Sequence, residues 1–225
     1  MTKQDIRNEI KARIAAFSKE ELRAQSDALC KTILESKDFI RCTTLLAYMP
    51  LPDEADITAV IQQALEKEKK VFLPHVTPGT SQMEFYRFSS TQATHEGEFG
   101  IKEPEAEPSQ SFKKFLEYLS IQQYSPAAHS SDYVDIEEHE QPIEHILVLV
   151  PGRAFTKGGK RIGRGKGFYD IYFSQIPLVF DIKKSGVCLG CQLFADLPTT
   201  PDDILMDSVV CGDFNTPLRG TQSPQ

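Results

Sequence analysis

Apolar residues recur along this chain with two alternating periods. Ile6, Ile10, Ile14 and Phe17 lie three or four apart, behind a Thr2 that has Asp5 three positions on, and this predicts a capped amphipathic helix. Ser18 and Glu21 repeat the capping pattern ahead of Leu22, Leu29, Ile33 and Leu34, a second helix. Leu45-Leu46-Ala47-Tyr48 has no helical period and reads as a strand. Ile57, Val60, Ile61, Ala64 and Leu65 return to helical spacing, and Val71-Phe72-Leu73, closed by Pro74, is the next strand. Ile146 to Val150 is a run of five apolar residues, a strand buried on both faces, ended by Pro151-Gly152. Strands alternating with helices predict an α/β fold: three layers, a mostly parallel sheet with helices on both faces, Rossmann-like, with ligands at the carboxyl ends of the strands.

Composition adds boundaries to this pattern. At 225 residues, 40% hydrophobic and 25% charged, the chain has an ordinary globular make-up. It reads as one domain over 1–213, with an acidic insertion at about 105–143 and a flexible polar tail over 214–225. No apolar run approaches the roughly 20 residues of a membrane span. The polar start Met1 to Asp5 lacks the apolar core of a signal peptide, so a cytoplasmic address is expected, with no membrane partner. Cys30, Cys42, Cys188, Cys191 and Cys211 are an odd set without a secretory signal, which argues against a disulfide framework. Cys188-x-x-Cys191 lacks a second ligand pair, and Val187 to Cys191 reads as a buried strand.

The net charge is −7, unevenly spread. Twelve acidic residues stand between Glu96 and Glu144 against Lys102, Lys113 and Lys114, whereas five of the ten residues from Lys157 to Lys166 are cationic. Gly158, Gly159, Gly163, Gly165 and Gly167 are threaded among those cations. Glycines let backbone N–H groups form a concavity, and Lys and Arg add charge, so the segment suits a polyanion such as a nucleotide triphosphate. Phe168 to Phe173 carries aromatics at helical spacing, which puts a helix N-terminus after the loop. A P-loop is excluded because Arg164-Gly165 follows the glycine pair Gly158 and Gly163, and the dinucleotide fingerprint fails at Phe168. A single anion pocket in an acidic chain also argues against a general nucleic-acid binder.

Pro151-Gly152-Arg153-Ala154-Phe155 and Gly159-Lys160-Arg161-Ile162-Gly163-Arg164-Gly165-Lys166-Gly167-Phe168-Tyr169-Asp170 resemble the signature of the 5-formyltetrahydrofolate cyclo-ligases, also called methenyltetrahydrofolate synthetases. Lys3 with Arg7, the segment Tyr48 to Glu54, Gly100-Ile101-Lys102-Glu103-Pro104, and Gln192 with Leu197-Pro198, Asp203 and Asp207 are similar to further elements of that family. The resemblance implies an ATP-dependent ligase that closes 5-formyltetrahydrofolate to 5,10-methenyltetrahydrofolate with Mg²⁺, releasing ADP and phosphate. Its partners would be a reduced folate and ATP, and the protein a monomer or weak homodimer. By the same resemblance Arg161, Lys166 and Tyr169 are catalytic, and Lys3, Arg7, Arg161, Gly163, Arg164, Gly165, Lys166, Gly167, Phe168 and Tyr169 bind ATP. Met49, Glu54 and Phe168 would meet the folate, and Asp170 and Asp203 the metal.

Other readings of the same residues stand beside this one. Lys3, Arg7 and Lys11 on one helix ridge are ordinarily a solvated face, Tyr169 suits a core as well as a substrate, and Asp203 in Pro201-Asp202-Asp203 is also turn chemistry. An RNA-binding module built on the Arg-Gly cluster, or an α/β enzyme of sugar phosphates or acyl carriers, would use the same loop. Thr156 replaces an Asp of the family pattern, Ile162 and Phe168 replace Leu and Tyr, and Arg153 puts a charge where that pattern is apolar. Truncating Arg161 or Asp170 is expected to abolish turnover and leave the fold intact.

Overall fold

Thr2 Oγ1 accepts from the Asp5 N–H and the Asp5 carboxylate accepts from the Thr2 N–H, and this reciprocal cap opens α1 (Lys3–Ala15). Ser18 and Glu21 do the same for α2 (Lys19–Glu35). In chain order follow α3 (Lys37–Arg41), β1 (Thr44–Leu46), α4 (Thr58–Glu66), β2 (Lys70–Val76), β3 (Met83–Phe88), the short pair β4 (His95–Glu96) and β5 (Lys102–Glu103), and α5 (Phe112–Tyr124). The remainder is β6 (Ile146–Pro151), β7 (Ala154–Thr156), β8 (Arg161–Ile162), α6 (Phe168–Ser174), β9 (Ile182–Cys188), β10 (Leu193–Phe194) and β11 (Ser208–Cys211). This computed structural model describes residues 1–89, 95–96, 102–104, 106–124, 144–177 and 179–212. Residue 105 and residues 125–143 of the expected acidic insertion, Gly100 and Ile101, and the 214–225 tail lie outside those residues; the described part of the insertion is 106–124, a short 3₁₀ turn followed by α5.

Six strands form one sheet in the order β11-β9-β6-β1-β2-β3, parallel throughout except for the antiparallel β2–β3 edge. The run Ile146 to Val150 is apolar at every position because its two faces serve two cores. Leu147 and Leu149 pack with Ile6, Ile10, Leu29, Leu45 and Val60 beneath α1, α2 and α4. Ile146, Val148 and Val150 pack with Leu46, Phe72, Phe85, Phe112 and Tyr172 beneath α5 and α6. The expected layering, a mostly parallel sheet with helices on both faces, is present. Among the described residues no helix is long and apolar enough to cross a membrane.

Chain direction across the sheet reverses between β1 and β6: β2 lies to one side of β1, while β6, β9 and β11 extend on the other. A crevice opens outside the carboxyl ends of adjacent parallel strands at such a reversal. The segment after β1 begins at Ala47 and that after β6 at Gly152, so the chain's two most informative loops meet there.

Three expectations are corrected. Pro74 does not close its strand: β2 runs to Val76, and pairing with β1 has already ended at Phe72, so Pro74 faces a single strand neighbour, where its missing N–H is tolerated. The cationic segment is not one loop, since β7 and β8 pair antiparallel and carry Lys157 to Lys160 into a hairpin turn. The Val187 to Cys191 strand stops at Cys188, and Cys191 lies in a 3₁₀ turn over Gly190–Gln192. All five cysteines are free thiols, and burial pushes Cys191 up to about 11, which keeps it protonated and suits packing.

Phe155 of β7 is fully buried over the sheet because two backbones are bare beneath it. A Cβ on Gly186 would stand 2.5 Å from the Phe155 ring, and one on Gly152 would stand 2.6 Å from it. Both contacts are below van der Waals distance, so the ring fills a hole that only glycine leaves. Gly186→Ala is therefore expected to destabilise the fold by about 1–3 kcal/mol through overpacking, read as a lowered Tm in thermal unfolding.

Candidate active site

A cavity of about 660 Å³ occupies the crevice at the β1–β6 reversal. Its apolar wall comes from Tyr48, Met49, Leu51 and Pro52 after β1, Pro74 and Met83 from the β2–β3 hairpin, and Phe168 and Tyr169 at the start of α6. Its polar wall holds Asp53, Glu54, Arg161, Gly163, Arg164, Lys166, Gly167 and Asp170. Met49, Glu54, Phe168 and the cationic loop, widely separated in sequence, thus border one space. Lys157 and Lys160 do not; the β7–β8 turn puts them around a separate hollow with Phe194 and Asp196.

The loop from Gly163 to Gly167 is shaped by its backbone. Gly167 holds φ +70° immediately before α6, a left-handed conformation in which a Cβ would be strained, and this turns the chain into the helix. Gln192 pins the neighbouring loop after β6: its buried amide donates to the Gly152 carbonyl at 2.8 Å, while its own oxygen accepts from the Leu189 N–H at 2.7 Å.

Arg161 is 5% exposed. One terminal nitrogen donates to both Asp170 oxygens at 3.0 Å and the other to the Pro151 carbonyl at 3.3 Å. The guanidinium also lies 5.5 Å from the Tyr169 ring centre. Asp170 accepts a further bond from the Ile204 N–H at 3.1 Å, which ties the 200–206 segment to the loop. The expectation that truncating Arg161 or Asp170 spares the fold is corrected on this ground. Removing one partner of a buried ion pair leaves the other charge uncompensated, at a cost of several kcal/mol.

The first helix reaches the same loop. Arg7 Nε donates to the Gly163 carbonyl at 2.9 Å, and Lys3 Nζ meets the Asp203 carboxylate at 2.5 and 2.7 Å. Lys11 continues the ridge into solvent. Asp203 also accepts from the Thr200 N–H, and it is not among the residues bordering the cavity. Burial acts to raise its pKa, but the Lys3 and Thr200 bonds outweigh that and hold it below its ordinary value of 3.8.

Arg164 is shared between two acids of the β1 loop. Its Nε donates to Glu54 at 2.9 Å and a terminal nitrogen to Asp53, while Arg153 pairs with the other Asp53 oxygen at 2.6 Å. Burial pushes the Asp53 carboxyl up, and the two arginines more than reverse it. Lys166 is exposed on the cavity rim and makes no ion pair or hydrogen bond among the described residues. Tyr169 is half-buried; desolvation and the Glu54 charge raise its pKa, so it stays a neutral phenol.

Asp53, Pro74 and Met83 have no role in the sequence pattern, and Arg153 stands there only as a departure from the family signature. Asp53 adjoins a residue that was picked out, so its place at a strand's carboxyl end was the available signal. Met83 comes to the cavity through hairpin geometry and had none.

Among the described residues no cluster of three or more His, Cys, Asp or Glu side chains suits a metal. A magnesium ion that meets a nucleotide needs fewer, since one or two carboxylates plus phosphate oxygens and waters complete its shell. Asp170 fits such a role: it borders the cavity, and Oδ2, which accepts one of the three hydrogen bonds to this carboxylate, keeps a lone pair free.

The profile of the 5-formyltetrahydrofolate cyclo-ligase family matches residues 1–121 and 119–212. A probable 5-formyltetrahydrofolate cyclo-ligase of Caenorhabditis elegans is 30% identical over 217 residues, covering 92% of this chain and 91% of the relative. A mitochondrial 5-formyltetrahydrofolate cyclo-ligase of Arabidopsis thaliana is 25% identical over 244 residues, covering 98% and 78%. Among solved structures, the 5,10-methenyltetrahydrofolate synthetase of Aquifex aeolicus superposes with a TM-score of 0.66 at 25% identity, over 100% of this chain and 97% of that one.

The pH dependence of the Lys3–Asp203 pair follows from its sign. A depressed carboxyl pKa stabilises the fold above the unfolded value near 3.8 and loses that contribution as pH falls through the folded value. Asp203→Asn is expected to cost about 0.5–1 kcal/mol at pH 7, with the gap to the parent shrinking towards pH 2, as read by denaturant unfolding at both pH values.

Proposed function

The chain belongs to the 5-formyltetrahydrofolate cyclo-ligase family, and from that membership we propose that its cavity closes 5-formyltetrahydrofolate to 5,10-methenyltetrahydrofolate at the expense of ATP. The observation that carries this reading is the division of the cavity into an apolar wall of Tyr48, Met49, Leu51, Pro52, Met83 and Phe168 and a rim of Arg161, Lys166 and glycine backbone. A flat heteroaromatic ring suits the first and a phosphate chain the second.

A formyl amide is a poor electrophile with a poor leaving group. Attack of its oxygen on the γ-phosphorus breaks the bond to ADP and leaves that oxygen phosphorylated, with the formyl carbon made electrophilic by the new leaving group. The neighbouring amine of the same folate then adds to that carbon, and inorganic phosphate departs with the oxygen. The protein's part is to align the two substrates and match the charge on the phosphates. In this reading Arg161, Lys166 and the Gly163 to Gly167 backbone hold phosphates, with Arg164 able to join them, and Lys3 and Arg7 hold α1 over the loop. Magnesium, when bound, would neutralise phosphate charge; Asp170 is the residue that would hold it. Glu54, half-facing the cavity beside Met49, would accept from a folate N–H, and Tyr169 packs beneath Arg161.

The RNA-binding alternative needs an exposed basic face. Arg161 is buried, and Arg164 and Lys3 are paired with carboxylates, which disfavours it. The Arabidopsis relative is named as mitochondrial, so family membership does not fix the expected cytoplasmic address.

The test is to incubate the protein with 5-formyltetrahydrofolate, ATP and Mg²⁺ and follow near-UV absorbance of the methenyl product; absence of product overturns the reading. Lys166→Ala touches no described partner and is expected to lower kcat/KM by about 100-fold with an unchanged Tm, whereas Arg161→Ala should lose activity and stability together.

A further inference from the structure

Asp53 and Glu54 bring two negative charges to the mouth of a cavity whose rim is built for an anion, and Arg164 by itself balances one of them. Arg153 supplies the second positive charge. Its side chain is 12% exposed, and its guanidinium stands 2.6 Å from Asp53 as an ion pair without hydrogen-bond alignment. Arg153 stands on a rigid base: its N–H donates to the Ile162 carbonyl at 2.6 Å, and its carbonyl accepts from the buried Gln192 amide at 3.2 Å. The β1 loop is otherwise tied by Arg164, which meets Asp53 and Glu54 from the glycine loop, by the Tyr48 hydroxyl donating to the Ala55 carbonyl at 2.8 Å, and by two internal bonds, the Glu54 N–H to the Leu51 carbonyl and the Leu51 N–H to the Glu54 carboxylate. The Arg153–Asp53 contact therefore joins the loop that carries Met49, Leu51, Pro52 and Glu54 to the end of β6.

We infer that Arg153 is a positioning residue for the folate side of the cavity, clamping the 51–54 loop through Asp53 so that Leu51, Pro52 and Glu54 are preset for the substrate. It touches no reacting atom in this account. The inference rests on the functional reading above for its substrate, and on the geometry alone for the clamp. A loop that must be ordered during binding weakens substrate affinity, while a loop already ordered does not, so the effect falls on KM rather than on kcat.

Arg153→Met keeps the length and packing of the side chain and removes the charge. It is expected to raise KM for 5-formyltetrahydrofolate by about tenfold with kcat within about twofold, and Arg153→Lys should recover part of the loss. Asp53→Asn, which also loosens Arg164, should raise the same KM at least as much, and the double variant should raise it no more than Asp53→Asn alone, because the Arg153–Asp53 contact is lost in both. An unchanged KM in Arg153→Met, or single effects that add in the double variant, overturns the clamp. Should the parent protein yield no methenyl product, the functional reading falls and amide hydrogen exchange decides the clamp. Faster exchange across 51–55 in Arg153→Met supports it, and unchanged exchange overturns it.

Discussion

A guanidinium that is 5% exposed at the edge of an apolar core has to be neutralised where it stands, and this requirement organises the site around Arg161. Asp170 meets it with both oxygens, and because Asp170 sits in the first turn of α6, the pair sets where that helix begins. The same carboxylate accepts from Ile204, so the segment before β11 is placed by the charge that holds the glycine loop. Asp203 in that segment takes Lys3, and Arg7 one turn further along α1 takes the Gly163 carbonyl. Residues from both ends of the described chain are thus joined to one buried charge pair.

The sheet explains why this network borders an opening instead of a packed surface. At the β1–β6 reversal the strand order leaves a crevice outside the carboxyl ends of two adjacent strands. The apolar wall is contributed by residues at the margin of the core, Tyr48 and Met49 just after β1 and Met83 at the start of β3. The polar wall is contributed by the loop that the Arg161–Asp170 pair holds. An interface between a hydrophobic core and a charge network suits a ligand that is itself aromatic at one end and anionic at the other.

Charge around the cavity is matched more closely than a basic glycine loop suggests. Arg164 is engaged by Asp53 and Glu54, Arg161 by Asp170 and Lys3 by Asp203. Such pairing keeps the cations oriented in the absence of an anion, at the cost of having to exchange partners when one arrives. Lys166, exposed on the rim, has no such exchange to make among the described residues.

Local sequence determined the elements and the kind of chemistry. The two capping boxes, the apolar run that serves two cores and the glycine-cation loop are all decided by residues within a few positions of each other, where backbone sterics and short-range hydrogen bonds act. What only the tertiary structure decided is which charges find each other. That Arg164 turns to Asp53 and Glu54, that Arg153 clamps Asp53, and that Asp203 takes Lys3 depends on contacts between residues about 100 to 200 positions apart. Their geometry is set by strand order and by where two loops happen to meet, and Coulomb attraction, which carries no memory of sequence distance, then selects the partners.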